Sequence, residues 1–523
     1  MRACSPRNTL RSFATRVLTK IQPKPAIQRA LRPGVIVINN AVGPALVVLW
    51  VAIVLAIKVA FYRRGIVIGD LFLYANALVN THLPDQLLYI ADYQLGRGAT
   101  SLVLDHFEPS SVLLIPFFRL FETPLCLVVL QALVPAVLVG AIVVLARSLT
   151  GATQLGWAVA VFTLYNPMFI DAVIDSVYGF HHDAQYLIYA PLFIACFLLR
   201  RFAWAMLFLI LFLGVKEDAA FFGMAFGATL ALFDLPWGGK LSGFRLPGLV
   251  VAAVSALYFV GTVLVLPHLI ASPNIYAGAG FAELHQGPAH ILATTWHNFF
   301  ALKWHNLWLY FFYAFGSPAF VLAGLPDIAM FSIMTRKANL YFNFTAKANL
   351  YYNFTIVTFL AFGVLLTLIR LRNAQAGMPA NRWRRLVAAA FALQLTLCVP
   401  FGLWQMHRTW THQTISSQPV SAADAEAAWR MVDLSCSVTV SNGLLRRFYR
   451  APYWFQWYHI GAARFIVATD RSLLNMAARG ARAADNDYFV SFWVAMQAGQ
   501  LDLIGRSGPV TVWRDRNAPC LPW

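Results

Sequence analysis

The sequence predicts an all-α polytopic membrane protein of about 11 transmembrane helices, followed by a small α/β C-terminal domain on the extracytoplasmic side. The first observation is composition: 59% of the 523 residues are hydrophobic and 12% are charged, whereas soluble proteins carry about 25% charged residues. The second is a series of apolar runs close to the length of about 20 residues that crosses a bilayer. The third is a change near residue 405, where charged residues return and short alternating runs begin.

The N-terminal segment, residues 1–40, carries a strong positive charge. Its first 34 residues contain eight basic side chains and no acid. This pattern predicts a cytoplasmic flank beside the first span, because cytoplasmic loops are enriched in Lys and Arg. An apolar core and a cleavage site are both missing ahead of Ala41, so we expect the first span to be retained as an anchor. A mitochondrial transit peptide and a nucleic-acid-binding tail are the alternatives, and nothing beyond the net charge of +18 supports nucleic acid.

The apolar runs define the predicted transmembrane domain, residues 41–404. They lie at 43–62, 124–147, 154–171, 185–199, 202–215, 219–233, 247–268, 296–335, 354–369 and 386–404. The run at 296–335 is long enough for two spans or a re-entrant hairpin, which gives an odd total and opposite sides for the two termini. The connection 370–385 has five basic residues and no acid, and it falls on the predicted cytoplasmic side. Arg63 and Arg64 break this rule, since they begin the first outer loop, 63–123.

The C-terminal domain, residues 405–523, is predicted to be extracytoplasmic. Residues 422–434 have a helical composition, and Val510–Trp513 follow a Gly-Pro turn as a strand would. Cys436 and Cys520 are the only cysteines of this region. An extracytoplasmic compartment permits disulfides, so we predict that these two residues are bonded.

Charged and imidazole side chains gather in three connections that fall on the same predicted outer face. The first outer loop contributes Asp70 and the run Asp105-His106-Phe107-Glu108. The second contributes His181-His182-Asp183, and the third contributes Lys216-Glu217-Asp218. Ionisable groups at membrane depth are functional candidates by default, because leaving them buried and unpaired is costly.

These groups admit several chemical interpretations. Asp70 and Glu217 are candidate ligands for a divalent cation such as Mg²⁺ or Mn²⁺. A carboxylate here is equally suited to act as a general base, and Lys216 with the two histidines suits a phosphate. Structural explanations stand beside these: Asp70 as a helix cap, and the other runs as solvated loops, polar turns or local ion pairs. Phosphate-loop, dinucleotide and zinc-protease motifs are missing from the sequence, which argues against an ATP-driven pump.

Four ordered motifs carry a family resemblance over about 65–235. They read GDLFLYANAL, HFEPSSVLLIPFF, FHHDAQYLIYAPLF and VKEDAAFFGMAFG, and SNGLLRRFY and GPVTVW match more loosely in the C-terminal region. Together they resemble an uncharacterised prokaryotic membrane protein family, domain of unknown function 2079, which is similar to GT-C glycosyltransferases. The resemblance implies a lipid-phosphate-linked sugar donor and an essential acid in the first outer loop. By position that acid is Asp70, with Glu108, His182 and Glu217 in support.

The expected function is sugar transfer from a polyprenyl-phosphate donor to an unidentified acceptor, at the outer face of a bacterial inner membrane. Asp70 and Glu108 are the predicted catalytic residues. The predicted phosphate-binding residues are His181, His182 and Lys216, and the predicted supporting residues are Asp105, His106, Asp183, Glu217 and Asp218. A transporter or flippase of lipid-linked saccharide is the alternative, although the sequence lacks the internal repeats typical of transporters. A non-catalytic assembly or receptor protein is the third class.

Overall fold

The fold is taken from a computed structural model of the chain. It describes residues 40–66, 70–82, 87–90, 101, 103, 107–174, 178–233, 243–266, 287–301, 312–333, 353–375, 382–416, 420–451, 454–455, 463–470, 472–473, 487–518 and 520. The sequence predictions for Asp105 and His106 lie outside these residues.

Within the described residues, the first half of the transmembrane region contains ten helices. They are α1 Val42–Arg63, α2 Asp70–Val79, α3 Leu114–Phe121, α4 Leu125–Leu133, α5 Pro135–Thr150, α6 Gln154–Leu164, α7 Pro167–Ile174, α8 Tyr186–Leu198, α9 Phe202–Leu213 and α10 Ala219–Phe233. Two 3₁₀ turns, Pro109–Leu113 and His182–Gln185, precede α3 and α8. Every described apolar run that was predicted as a span in this half is therefore helical.

In the second half, the structure describes five more helices. They are α11 Arg245–Phe259, which continues as a π-turn through Val265, α12 Pro288–Ala301, α13 Pro318–Ile333, α14 Asn353–Gln375 and α15 Arg382–Ser416. A 3₁₀ turn at Phe312–Gly316 separates α12 from α13. Helix α15 continues twelve residues beyond the predicted domain boundary at 404, and a compact C-terminal unit begins after it.

Among the described residues, five helical segments are long and apolar enough to cross a membrane. They are Val42–Arg63, Leu125–Thr150, Arg245–Val265, Phe354–Asn373 and Leu386–His412. Helices α6 and α7 meet at a bend of 66°. If the two helices together form one span, they are a sixth membrane-crossing segment. The break lies at Pro167, which has no backbone N–H and so cannot continue the helical hydrogen bonds of α6. The N–H of the next residue, Met168, donates to the side chain of Asn166, with 3.0 Å between N and Oδ1. A polytopic helical membrane protein is confirmed, and the number of eleven spans stays a prediction.

Close helix packing in this region depends on small residues at the contact of α10 with α11. A Cβ atom on Gly227 would lie 2.5 Å from the carbonyl oxygen of Gly248, and one on Gly248 would lie 2.8 Å from that of Gly227. The two backbones therefore touch directly, as is common where membrane helices associate through small residues.

The C-terminal unit is a mixed sheet with helices, as its alternating sequence predicts. Strands β1 Val438–Val440, β2 Trp454–Phe455, β3 Phe465–Thr469, β4 Leu501–Ser507 and β5 Val510–Asp515 form a sheet in the order β2-β1-β3-β5-β4. Strand β1 pairs parallel to β2 and β3, while β5 pairs antiparallel to β3 and β4. Helices α16 Ala422–Arg430, α17 Leu445–Phe448 and α18 Asp487–Gln497 accompany the strands.

Two local features of this unit follow from its sequence. Gly508 adopts a positive φ of 51° in the β4–β5 turn, a conformation that glycine reaches without strain. Cys436 and Cys520 form a disulfide with their Cα atoms 4.6 Å apart, and this bond ties the C-terminal end of the chain to the segment ahead of β1.

Candidate active site

The four sequence motifs converge because backbone hydrogen bonds join the connections that carry them. The Leu71 N–H, at the start of α2, donates to the Tyr178 carbonyl at 3.1 Å, just before the two histidines. The Ser110 N–H donates to the Gly214 carbonyl at 2.8 Å, which joins the first loop to the α9–α10 turn. A Cβ on Gly214 would lie 2.7 Å from Ser110 Oγ, so a larger residue here would have to displace that hydroxyl.

Asp70 lies at the open edge of the cluster. Its side chain is 22% exposed, and its Oδ2 is 3.4 Å from Nε2 of the buried His181. Nδ1 of His181 accepts a hydrogen bond from the Asp183 backbone N–H at 3.2 Å. A neutral imidazole that accepts at Nδ1 carries its proton on Nε2, so His181 directs an N–H toward the Asp70 carboxylate.

The protonation state of His181 follows from its burial. Burial lowers the pKa of His181 to about 3, against the opposing influence of the Asp183 carboxylate. His181 is therefore neutral near pH 7. Its backbone N–H donates to Gln131 Oε1 at 2.9 Å, which fixes the start of the turn.

His182 is the charged neighbour of His181. Its Nε2 lies 2.9 Å from Asp183 Oδ1, and its Nδ1 lies 3.5 Å from Glu108 Oε2. Burial opposes the charged form, but the Glu108 and Asp183 carboxylates outweigh it and raise the pKa of His182 above its usual value. The ring is thus an imidazolium held between two buried carboxylates.

Glu108 is completely buried and accepts hydrogen bonds from the side chains of Tyr74 and Ser111. The Tyr74 hydroxyl donates to its two carboxylate oxygens at 3.1 and 3.0 Å, and Ser111 Oγ donates to Oε2 at 2.7 Å. Tyr74 also contacts Nδ1 of His182. Glu108 precedes the 3₁₀ turn at Pro109, so the alternative of a solvated loop does not hold for this residue.

The α9–α10 turn adds a third group of charges. Lys216 Nζ lies 4.0 Å from Asp183 Oδ2, and both side chains are buried. Burial would raise the pKa of Asp183, but the charge of Lys216 and the influence of the two neighbouring histidines outweigh it and hold that pKa well below its usual value. Burial raises the pKa of Asp218, against the influence of Lys216, and Asp218 accepts a hydrogen bond from the Tyr186 hydroxyl. Glu217 is half-buried in the same turn.

Sequence reasoning missed one lysine that supports this cluster. Lys58 is buried in α1, and its Nζ donates to the carbonyl oxygens of Val173, Ile174 and Gly179 at 2.9, 2.9 and 2.6 Å. It thereby holds the end of α7 and the segment that leads to His181. The signal was a single lysine inside an apolar run, since an ionisable residue within a span is rare and marks a site.

Three residues of the cluster carry atoms of the kinds that bind metal ions. Donor atoms of His181, His182 and Asp183 lie within 4.8 Å of one another. His182 is charged, His181 already uses Nδ1 as an acceptor, and Asp183 faces Lys216. A hard cation such as Mg²⁺ prefers oxygen ligands, so these three residues do not fit it. A divalent cation on Asp70 and Glu217 stays a prediction.

Comparisons with known proteins place the chain in a family. No curated protein matches the sequence. Among solved structures, ArnT from Cupriavidus metallidurans bound to undecaprenyl phosphate is similar at 15% identity and a TM-score of 0.44, covering 89% of this chain and 97% of that one. ArnT in the apo state is similar at 14% identity and a TM-score of 0.38, with the same coverages. The family of predicted membrane proteins with domain of unknown function 2079 matches residues 72–445. This match spans more than half of the sequence, and it includes the segments that carry Glu108, His181, His182 and Lys216; the chain belongs to the DUF2079 family of predicted membrane proteins.

Proposed function

We propose that this protein is a membrane glycosyltransferase that transfers a sugar from a polyprenyl-phosphate donor to an acceptor at the extracytoplasmic face. One observation carries the proposal: the partly exposed Asp70 carboxylate lies in front of a buried group of imidazoles, carboxylates and a lysine. Asp70 is thus a partly exposed acid that a substrate can reach, while the buried charges behind it are fixed in place. The family resemblance supplies the donor class.

Asp70 is suited to the role of general base. The Nε2–H of neutral His181 points at its carboxylate and orients one of its oxygens. Asp70 would take the proton of the acceptor hydroxyl as that oxygen forms a bond to the anomeric carbon. The bond from that carbon to the phosphate oxygen breaks in the same step, and its electron pair leaves with the phosphate. A direct displacement of this kind inverts the anomeric centre.

The buried residues divide into phosphate-binding and positioning groups. Lys216 and the His182 imidazolium bring positive charge to the cluster, while neutral His181 offers a hydrogen-bond donor. Such groups stabilise the charge that develops on a leaving phosphate. Glu108 was predicted to be catalytic, but its complete burial supports a positioning role for the His182 ring. A divalent cation on Asp70 and Glu217 remains part of the proposal.

Transport of a lipid-linked saccharide is the second candidate function. The bend of 66° between α6 and α7 is the observation that favours it, because broken helices are typical of secondary transporters. The ionisable cluster favours transfer, since its residues come from connections between helices and lie together at one end of them.

The test is transfer of radiolabelled sugar from polyprenyl-phosphate donors by purified protein carrying Asp70→Asn. We expect a loss of about 100-fold or more, the usual contribution of a general base. Asp433→Asn is the control, because this acid lies on the C-terminal unit and is exposed. Chelation by EDTA followed by Mg²⁺ or Mn²⁺ tests the cation separately.

Two results would overturn the proposal. Full activity of Asp70→Asn would remove Asp70 from the mechanism. Transfer that is undetectable with every donor, together with substrate-dependent flux in vesicles of the wild type, would establish transport instead.

A further inference from the structure

Five exposed arginines lie at the end of the spans that also carries the candidate active site. They are Arg63, Arg64, Arg408, Arg446 and Arg450, and we call them the arginine collar. Two of them are the pair that contradicts the positive-inside pattern of the sequence. The proposed sugar transfer uses none of the five.

Contacts between the transmembrane helices and the C-terminal unit bring the collar together. The Arg446 side chain donates to the Arg63 carbonyl at 2.9 Å, and its guanidinium carbon lies 4.9 Å from the centre of the Tyr62 ring. The Arg450 side chain donates to the Glu122 carbonyl at 3.0 Å. Arginines that are remote in sequence therefore share one rim.

The positive charge of the collar is not balanced within the described part of the chain. None of the five guanidinium groups there lies within 4.0 Å of a carboxylate, although Glu122 influences Arg450 from a greater distance. The neighbouring Arg447, by contrast, pairs with Glu426 at 2.7 Å. Like charges held on one rim repel each other, so an external anion would stabilise the collar.

Aromatic rings fix the level of the collar relative to the membrane. The guanidinium of Arg64 lies 4.7 Å from the centre of the Trp410 ring, and that of Arg408 lies 5.4 Å from that of Trp404. Both tryptophans belong to the last turns of the span that ends at His412, and Trp404 is 49% exposed. Tryptophan at a span end marks the headgroup level of a bilayer.

We propose that the arginine collar binds the anionic phosphate headgroups of phospholipids in the surrounding leaflet. Guanidinium groups form paired hydrogen bonds with phosphate oxygens, and the collar presents five of them at headgroup level with no carboxylate within 4.0 Å among the described residues. Binding there would hold the C-terminal unit against the membrane surface, because Arg446 and Arg450 belong to that unit and Arg63 and Arg64 to the first span. The proposal is independent of the proposed sugar transfer.

The test measures lipid affinity of the purified full chain in neutral detergent, from the rise in thermal unfolding temperature as phosphatidylglycerol is added. A ligand that binds the folded state raises this temperature by an amount that grows with the logarithm of the ligand concentration divided by Kd, so a titration gives the affinity. We expect wild type to respond to phosphatidylglycerol and not to phosphatidylcholine. Removing one arginine should weaken affinity about fivefold, because each basic residue near an anionic surface contributes about 1 kcal/mol. Arg63→Gln/Arg64→Gln and Arg446→Gln/Arg450→Gln should each weaken it about 25-fold.

The control is Arg430→Gln, which removes an exposed arginine that pairs with Glu426 and should leave the affinity unchanged. The two double variants alter different parts of the chain, so one remains informative if the other does not fold. Equal responses of wild type and the folded double variants would overturn the proposal. The proposal would also be overturned if wild type responded to phosphatidylcholine, or to inorganic phosphate at the same concentration, as strongly as it does to phosphatidylglycerol. A response to polyprenyl phosphate with none to phosphatidylglycerol would overturn it as well.

Discussion

Replacing each of the two adjacent histidines with glutamine should have very different effects on stability. His182 is an imidazolium between Asp183 and Glu108, at 2.9 and 3.5 Å, whereas His181 is neutral. The His182→Gln variant keeps much of the side-chain volume but removes the positive charge. Two buried carboxylates then lose their shared partner.

The expected magnitudes follow from burial and charge. Removing one partner of a buried ion pair costs about 3–5 kcal/mol, because the remaining charge stays desolvated. Losing a neutral hydrogen bond costs about 0.5–1.5 kcal/mol, so His181→Gln should be the milder change. Adding Glu108→Gln to His182→Gln should recover part of the loss, since it neutralises one stranded carboxylate. The single amide oxygen of the glutamine, at the position of Oε2, still accepts from both Tyr74 and Ser111.

Titrating the purified variants with denaturant in detergent gives the free energy of unfolding of each, and hence these differences. Equal losses for the two histidine variants would contradict the assignment of charge to His182. A further loss on adding Glu108→Gln would contradict the pairing of His182 with Glu108.

Two further predictions concern pH and the contact between domains. The pKa of His181 is lowered from 6.5 to about 3 in the folded protein. The free energy of unfolding should therefore fall as pH drops below 6.5, by up to about 1.4 kcal/mol per pH unit. The His181→Gln variant should lack this loss of stability at acid pH. The pKa of His182 is raised in the folded protein, so the stability that its charge contributes should be lost as pH rises through this raised pKa. The His182→Gln variant should lack this loss of stability at higher pH. A wild-type free energy of unfolding that does not change with pH would contradict both predictions. Asn76 Nδ2 donates to the Tyr449 and Ala451 carbonyls at 2.8 and 3.0 Å. Asn76→Leu should therefore cost about 2–4 kcal/mol and speed hydrogen exchange in 445–451, and unchanged exchange would show that this contact does not hold the segment.

Much of the fold was readable from the sequence because hydrophobic length is a local property. Every described apolar run predicted as a span is helical, and the alternating runs at Val438–Val440, Phe465–Thr469 and Val510–Asp515 are strands. The helix breaks were harder to predict. The bend at Pro167 divides one apolar run into α6 and α7, and length alone does not show whether both parts belong to a single span.

The composition of the candidate site was readable for a different reason. Ionisable residues are rare in this sequence, so three polar connections on one predicted face stood out. Their partners did not stand out: Tyr74, Ser111 and Gln131 are ordinary residues of apolar or loop segments, and only their positions in space join them to Glu108 and His181. Lys58 was visible as an isolated charge, but its three carbonyl partners come from residues more than a hundred positions away.

The sequence by itself determined that this protein crosses a membrane and which polar residues gather at one end of its helices, since both follow from hydropathy and order along the chain. Only the tertiary structure decided which of those residues is charged and which is partly exposed. His181 and His182 are adjacent and chemically identical, yet one is neutral beside Asp70 and the other is charged between two carboxylates. The reason is that a pKa depends on burial and on the charges within a few ångströms, and those neighbours are supplied by four separate segments of the chain.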